Sequence, residues 1–477
     1  MGRANLQYNM CEDERIAPLL GDRKAALEET LRSHRAAMAL NVTKIDVRFN
    51  TAQVLTSLAE WFLTNDTREN AMEDARPLLE EAVNWFAECF QEQQREYEGI
   101  RAQFAKAQNE QAKQEQLAQL TSADEAREDE NMEITSTASA GSGEWATVEE
   151  PLTPETILET CTAHLNALTT LISLYDPSDT SALELRVQHG QLTAMEAPFY
   201  IEQLKDSPFK KAKDEPTGPT LSIGSSSTSE DTETSPKDEA LMTVAKFQAT
   251  LAEYRYQRGE VNAPEYANYI ESLFSDVFHA LESYDQSPGS RNAMSAYADT
   301  LMDCASAIAN NPSYDPASPS FTESVETQWR VLAEAQQVLT NLCTAKNASI
   351  FPATRLADTY LVRGDAELFR FRLALMPIAK PAWTKSKKVL VANAGVYYRG
   401  ARTYAAKAEN ELASTAADTK AVVADVLKDV EGNGADNVVF KKEWKRDLDV
   451  LKTVLEQMVE EGILGRVEAE GVLTMLR

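Results

Sequence analysis

PATRLADTYLVRGDAELFRFRLAL, residues 352–375, is the stretch whose reading decides the fold. Leu356, Ala357 and Tyr360 recur at three- and four-residue spacing and so share one face of a helix. Leu368, Phe369 and Leu373 repeat the pattern. Between the two sets stands Gly364-Asp365, a pair with turn-forming chemistry, so the segment reads as two short helices joined at Gly364. A helix pair of this size has little core of its own and becomes stable by stacking on similar pairs.

The same pattern extends in both directions. Gly21-Asp22 precedes KAALEETLRSHRAAMALN, in which Ala26, Leu27, Leu31, His34 and Met38 line one helix face. Next comes RFNTAQVLTSLAEWF, with Phe49, Ala52, Leu55 and Leu58 in register, and its partner ARPLLEEAVNWFAECF, with Ala75, Leu79, Ala82, Phe86 and Cys89. That partner continues through a segment rich in Gln, Glu, Lys and Ala and poor in turn formers. A long polar helix reaching Leu120 and projecting from the body is expected. Thr153 is placed to cap a helix that has Pro154 at its first position and Leu158, Cys161, Leu165, Leu168 and Ile172 as its stripe. Asp176-Pro177-Ser178 then turns the chain into a partner over residues 180–204.

In the second half, a helix ends at Gly259, and Asn262 can cap the next, whose stripe is Tyr266, Ile270, Leu273, Phe274, Val277 and Leu281. Further helices are expected at about 291–310, 321–345, 384–413, 418–430, 441–461 and 467–476. Strand signals are almost absent, so the fold class is all-α, a helix-turn-helix superhelix with degenerate repeats and disordered insertions. The layout expected is 1–120 helical with the projecting helix, 121–150 an acidic disordered insertion, and 151–206 a helical pair. Residues 207–238 follow as a disordered linker, 239–380 as further helix pairs, and 381–477 as a helical cap.

Composition bounds the partner. The 477 residues carry a formal charge of -28, which repels nucleic acid and anionic membrane surfaces from the chain as a whole. Residues 110–159 hold 13 acids and two bases, whereas 377–450 hold 13 bases and 10 acids. An acidic run of this kind is a solvated insertion, or else an arm that screens a basic client; its core is Asp124, Glu125, Glu128, Asp129 and Glu130. The five cysteines are odd in number, widely spaced and set mostly among apolar helix positions, which favours a reducing compartment, cytoplasmic or nuclear. No stretch is apolar over the roughly 20 residues a bilayer requires.

Residues for chemistry do not converge. The four histidines, His34, His164, His189 and His279, stand far apart, and His34 and His279 read as core or boundary imidazoles. Gly395 and Gly400 have the outer spacing of a phosphate loop, but Ala401-Arg402 stands where Lys-Ser/Thr should follow, so both read as packing residues in a helix. Gly432-Asn433-Gly434 reads as a helix stop. Two basic clusters, Lys385, Lys387, Lys388, Arg399 and Arg402, and Lys441, Lys442, Lys445 and Arg446, read as solvated helix faces that could pair with the acidic insertions. No catalytic, cofactor-binding or metal-ligating set emerges.

The quoted stretches resemble the tetratricopeptide (TPR) superfamily over about half of the chain, at residues 21–41, 49–90, 244–281 and 352–375. In the helix ending at Gly259, Leu251, Ala252 and Gly259 match positions of a TPR first helix. The resemblance implies a groove lined by first helices that takes an extended peptide or a partner helix. Its candidate residues here are Asn50, Gln53, Arg355 and Asp358. The carboxylate clamp of the heat-shock-binding subclass does not map, since Phe49, Asn50 and Gln53, and Thr354, Arg355 and Asp358, stand at its positions. With its acidity, the chain looks like fungal-type acidic TPR escorts of basic proteins. The function expected is a non-catalytic adaptor or assembly chaperone for a basic protein partner, with no cofactor, no small-molecule substrate and no membrane or nucleic-acid partner. The alternative is a structural subunit of a stable complex with a passive acidic insertion.

Overall fold

The computed structural model describes residues 2–13, 16–41, 43–65, 70–121, 152–176, 183–204, 235–281, 287–344, 347, 349–434, 439 and 441–476. These contain fifteen α-helices and no strand. A first compact unit holds α1 (Gly2–Glu12), α2 (Arg23–Leu40), α3 (Ile45–Asn65), α4 (Ala71–Thr121), α5 (Pro154–Ser173) and α6 (Glu184–Gln203). A second holds α7 (Pro236–Gln257), α8 (Ala263–Ala280), α9 (Pro288–Asn310), α10 (Phe321–Leu342), α11 (Ala353–Leu375), α12 (Pro381–Lys407), α13 (Glu411–Asn433), α14 (Leu448–Glu460) and α15 (Arg466–Leu476).

Within each unit every helix packs on the next in sequence, and several also touch the helix two further on: α3 on α5 and α4 on α6, α7 on α9, α8 on α10, α9 on α11 and α11 on α13. This two-layer succession of helix pairs is the stacking of a helical repeat, in which each pair covers the apolar face of its neighbour. The expected all-α repeat class is what the chain has.

Local signals place the helix ends. Thr153 caps α5 by accepting from the Thr156 amide, with Pro154 at the first helical position. Asn262 and Glu265 form a reciprocal capping box at α8, with bonds of 2.9 and 3.0 Å. Gly259 holds φ +71 and Gly434 φ +79, left-handed conformations that end α7 and α13. α4 runs to Thr121 as expected, and Arg101 to Lys113 is exposed on every side. α7 starts within the span expected as linker, because Ser235 caps it from the Asp238 amide ahead of Pro236. The expected 384–413 helix spans Pro381–Lys407, and α13 begins after Asn410, its cap. The expected 441–461 helix is a short 3-10 turn, Lys442–Trp444, followed by α14.

The largest correction falls on the stretch that opened the sequence reading. Residues 353–375 form one uninterrupted helix, α11, and Gly364 lies at its middle, not in a turn. Glycine there serves packing. A β-carbon on Gly364 would lie 2.5 Å from Cδ1 and 2.9 Å from Cζ of Tyr398 on α12. Four residues away the relation reverses: a β-carbon on Gly400 of α12 would lie 2.8 Å from Cδ1 of Tyr360 on α11. The two helices thus run antiparallel at close range, each ring seated on the other helix's glycine. Tyr398 is fully buried and donates to Asp365 Oδ1 at 2.8 Å, and the same oxygen accepts from Lys420 Nζ on α13 at 2.9 Å.

Five of the nine residues in the basic clusters form ion pairs within the second unit, while most of the acidic insertion lies outside the described residues. Lys387 pairs with Glu431, Arg399 with Asp425, Arg402 and Arg446 with Asp418, and Lys441 with Asp429, so α13 supplies all the carboxylates. Of the histidines read as core or boundary groups, His34 is buried, whereas His279 is exposed with Nδ1 at 2.6 Å from the Ser275 carbonyl oxygen.

Candidate functional site

α9 carries two opposed faces. Ala293, Tyr297, Ala298, Leu301, Cys304, Ala305 and Ile308 are buried in the second unit's core. Asn292, Ser295, Asp299 and Asp303 follow at helical spacing on a polar stripe. Asn292, Ser295 and Asp299 of that stripe form one wall of a cleft of about 330 Å³ whose other lining includes Leu339 of α10 and Arg355, Asp358, Thr359 and Val362 of α11.

Two of the groove residues expected from sequence, Arg355 and Asp358, therefore face this cleft. They differ in availability. The Arg355 guanidinium donates to Asn292 Oδ1 at 2.6 Å, Ser295 Oγ at 3.0 Å and the Arg291 carbonyl at 3.1 Å, and sits 4.3 Å over the Phe351 ring. It ties the start of α11 to α9, and burial together with nearby Arg291 pushes its pKa down. Asp358, one turn on, is exposed, and the surrounding protein raises its carboxyl.

The cleft opens along a line of acids. Asp299 and Asp303 lie four residues apart on α9, both exposed to solvent. Yet Asp303 is pushed up to about 6, first by loss of solvation and then by the charge of Asp299, against the opposing pull of Lys246. Asp299 is raised by the same cause, with Asp358 adding to it. Glu253 on α7, half-buried, rises to about 7 through desolvation and Asp303. Asp299 and Asp303 are exposed, yet the protein mass around them leaves water to solvate their charge incompletely. Four carboxylates from three helices make up an acidic floor: Asp299 and Asp358 line the cleft itself, and Asp303 and Glu253 continue it by successive charge coupling, with Lys246 and Arg355 as the cations acting on it. Such a surface stabilises an incoming positive charge and resists a phosphate.

In the first unit, Asn50 donates to Asn5 Oδ1 at 3.3 Å, and Ser57 meets the Tyr8 hydroxyl at 3.1 Å. Both contacts come from α1, a helix absent from the sequence expectation, which lies against this side of α3. Gln53 is half-buried. The structure does not bring Asn50 and Gln53 together with Arg355 and Asp358 inside either unit. Asp124, Glu125, Glu128, Asp129 and Glu130 lie outside the described residues.

Asn292, Ser295, Asp299, Asp303 and Glu253 were not among the expected site residues. The signal was the polar spacing in RNAMSAYADTLMDCA, which alternates with the buried positions of the same helix. The thiols of Cys89 and Cys161 are pushed up to about 12 by burial, and those of Cys11 and Cys343 also rise for that reason. A raised thiol is a poor nucleophile near neutral pH. Among the described residues no group of three or more His, Cys, Asp and Glu side chains is arranged to hold a metal ion. Among those residues, too, no helix is long and apolar enough to cross a membrane.

No protein-family model matches the chain. No curated protein matches it either. Among solved structures it is similar to a "Circular tandem repeat protein with novel repeat topology and enhanced subunit contact surfaces", at 12% identity and a TM-score of 0.33, over 99% of this chain and 94% of that one.

Proposed function

We propose that the protein is a non-catalytic binding scaffold, a TPR-like adaptor or assembly chaperone whose client is a basic protein. The observation that carries this reading is the acidic floor of Glu253, Asp299, Asp303 and Asp358 beside the α9–α11 cleft. Each of these carboxylates is held above its ordinary pKa, so each gains when a lysine or arginine side chain approaches. Stacked helix pairs support the scaffold role, because they present such a surface on rigid elements. The acidic insertion at residues 124–130 adds long-range attraction for the same client. Five unpaired cysteines fit a cytoplasmic or nuclear compartment.

The test is affinity purification with the full chain at low and high salt, followed by titration with a fluorescent lysine- and arginine-rich peptide. Recovery of a strongly basic protein at low salt is expected. Peptide affinity should fall at least tenfold in the Asp299→Asn, Asp303→Asn double variant, and should also fall on deletion of residues 124–133. A fixed set of partners at both salt concentrations, with peptide affinity unchanged by these variants, would overturn the basic-client reading in favour of a structural subunit of a stable complex.

A further inference from the structure

α6 is built with its large apolar side chains on the wrong face for a buried helix. The face packed into the first unit is made of Gly190, Thr193, Ala194, Ala197 and Tyr200. Thr193 bonds His164 Nδ1 of α5 at 3.1 Å, and Tyr200 meets the rings of Phe90 and Tyr97 of α4 edge-on. On the outward side Leu185 is 62% exposed, Leu192 59% and Met195 74%, while Phe199, 37% exposed, ends the row with the Arg101 guanidinium of α4 5.2 Å from its ring centroid. No other described helix carries more than two exposed large hydrophobic residues.

Their spacing is not scattered. Leu185, Leu192 and Phe199 are seven residues apart in turn, and Met195 falls between them three residues after Leu192. Four of the five a and d positions in this frame are large and apolar, with Gln188 at the fifth, a pattern suited to packing against another helix along a seam. The seam runs four turns, about 21 Å at the helical rise. Glu184 and Glu202 flank it on one side and Glu196 on the other, all three exposed. A stripe of large apolar groups bordered by carboxylates is complementary to an amphipathic helix with an apolar seam and basic flanking positions. A second copy of this chain would set the same carboxylates against each other, and an anionic membrane surface would be repelled by them.

We infer that the outer face of α6 is a docking surface for a basic amphipathic helix of a partner protein. It belongs to the first unit, whereas the acidic floor belongs to the second, and it goes beyond the client reading given above. Leu185, Leu192, Met195 and Phe199 fill the seam, and Glu184, Glu196 and Glu202 set the charge of what is accepted.

The test uses the full chain and a labelled 21-residue peptide of three heptads, with leucine at a and d and lysine at e and g, read by fluorescence anisotropy. A second peptide carries glutamate at e and g. The lysine peptide is expected to bind, at least tenfold more tightly than the glutamate peptide. Leu192→Asp with Met195→Asp should weaken it at least tenfold. Glu184→Lys, Glu196→Lys and Glu202→Lys together should reverse the preference between the peptides. All five positions are exposed, and circular dichroism with thermal melting checks that both variants keep the parent fold. The Asp299→Asn, Asp303→Asn variant should change the affinity less than twofold.

Failure of the lysine peptide to bind overturns the proposal, as does binding that the α6 substitutions leave unchanged. Loss of binding on substituting Asp299 and Asp303 would place the peptide on the second unit instead and also overturn it. So would a parent dimer in sedimentation equilibrium that Leu192→Asp with Met195→Asp converts to monomer, because the seam's occupant would then be a second copy.

Discussion

Gly364 of α11 lies beneath the ring of Tyr398 of α12, with no room between them for a β-carbon, and Tyr398 in turn donates its hydroxyl to Asp365 at 2.8 Å. The helix contact and the buried polar network meet at this point. Gly364→Ala is expected to force the ring or the helices apart and to cost about 1–3 kcal/mol, the usual range for overpacking. Gly400→Ala should cost less, since Tyr360 is half-buried and can yield. Urea unfolding followed by tryptophan fluorescence measures both. A stabilised Gly364→Ala variant would show that the helices are not in close contact.

Lys420 is only 4% exposed and is the cation facing Asp365, with Glu461 at 3.9 Å as a second partner. Lys420→Met leaves a buried carboxylate without its cation, which costs about 3–5 kcal/mol in comparable sites. Replacing the buried part of the network, with Asp365→Leu, Lys420→Met and Tyr398→Phe, should recover most of that loss, because the one carboxylate left without its cation, Glu461, is 39% exposed and can be solvated by water. Thermal unfolding of the single and triple variants decides it, and a triple variant no more stable than Lys420→Met would contradict this account.

Glu253 has its carboxyl raised to about 7 in the folded chain, by desolvation and then by Asp303. The folded state therefore holds a proton that the unfolded state releases at lower pH. This contribution to stability is fully present below the unfolded pKa and is lost as pH rises through about 7. Glu253→Gln should match the parent near pH 4.5 and exceed it by on the order of 1–2 kcal/mol at pH 8. Denaturation across that range is the measurement, and an equal difference at every pH would remove titration as the cause.

If the client is basic, binding also lowers the pKa values of Glu253 and Asp303, the latter standing at about 6. Affinity for the lysine- and arginine-rich peptide should then weaken between pH 7.5 and pH 5.5 by roughly three- to tenfold, since each unit of pKa change is a tenfold factor. The Glu253→Gln, Asp303→Asn variant should lose most of this dependence. A parent chain with flat affinity across that interval would exclude the floor as the binding surface.

Asn262 closes the start of α8 through its capping box with Glu265. Asn262→Ala should cost about 1 kcal/mol and Asn262→Gly only a few tenths. Hydrogen exchange of the first-turn amides of α8 is the direct readout, with Glu265 expected to lose its protection first.

Much of the secondary structure was legible because its causes are local. The caps at Thr153 and Asn262, the breaks after Gly259 and Gly434, and the stripes of α5 and α8 all depend on residues within a few turns of one another. Arg355 and Asp358, expected in a groove from the TPR resemblance, line the α9–α11 cleft. Asp299 and Asp303 were visible only as spacing. Their raised carboxyls arise from the protein mass and charges that α7, α9 and α11 place around them, and no single helix shows that.

The sequence by itself determined that this chain is all-α, that its helices pair, and where most of them begin and end, because capping and apolar periodicity act over three to seven residues. Only the tertiary structure decided what Gly364 does. A glycine in a helical pattern serves either a turn or a close approach, and the difference is a tyrosine ring 34 residues away in sequence and in contact in space. The same holds for α6, where composition gives an ordinary helix and only packing reveals that Leu185, Leu192 and Met195 face outward.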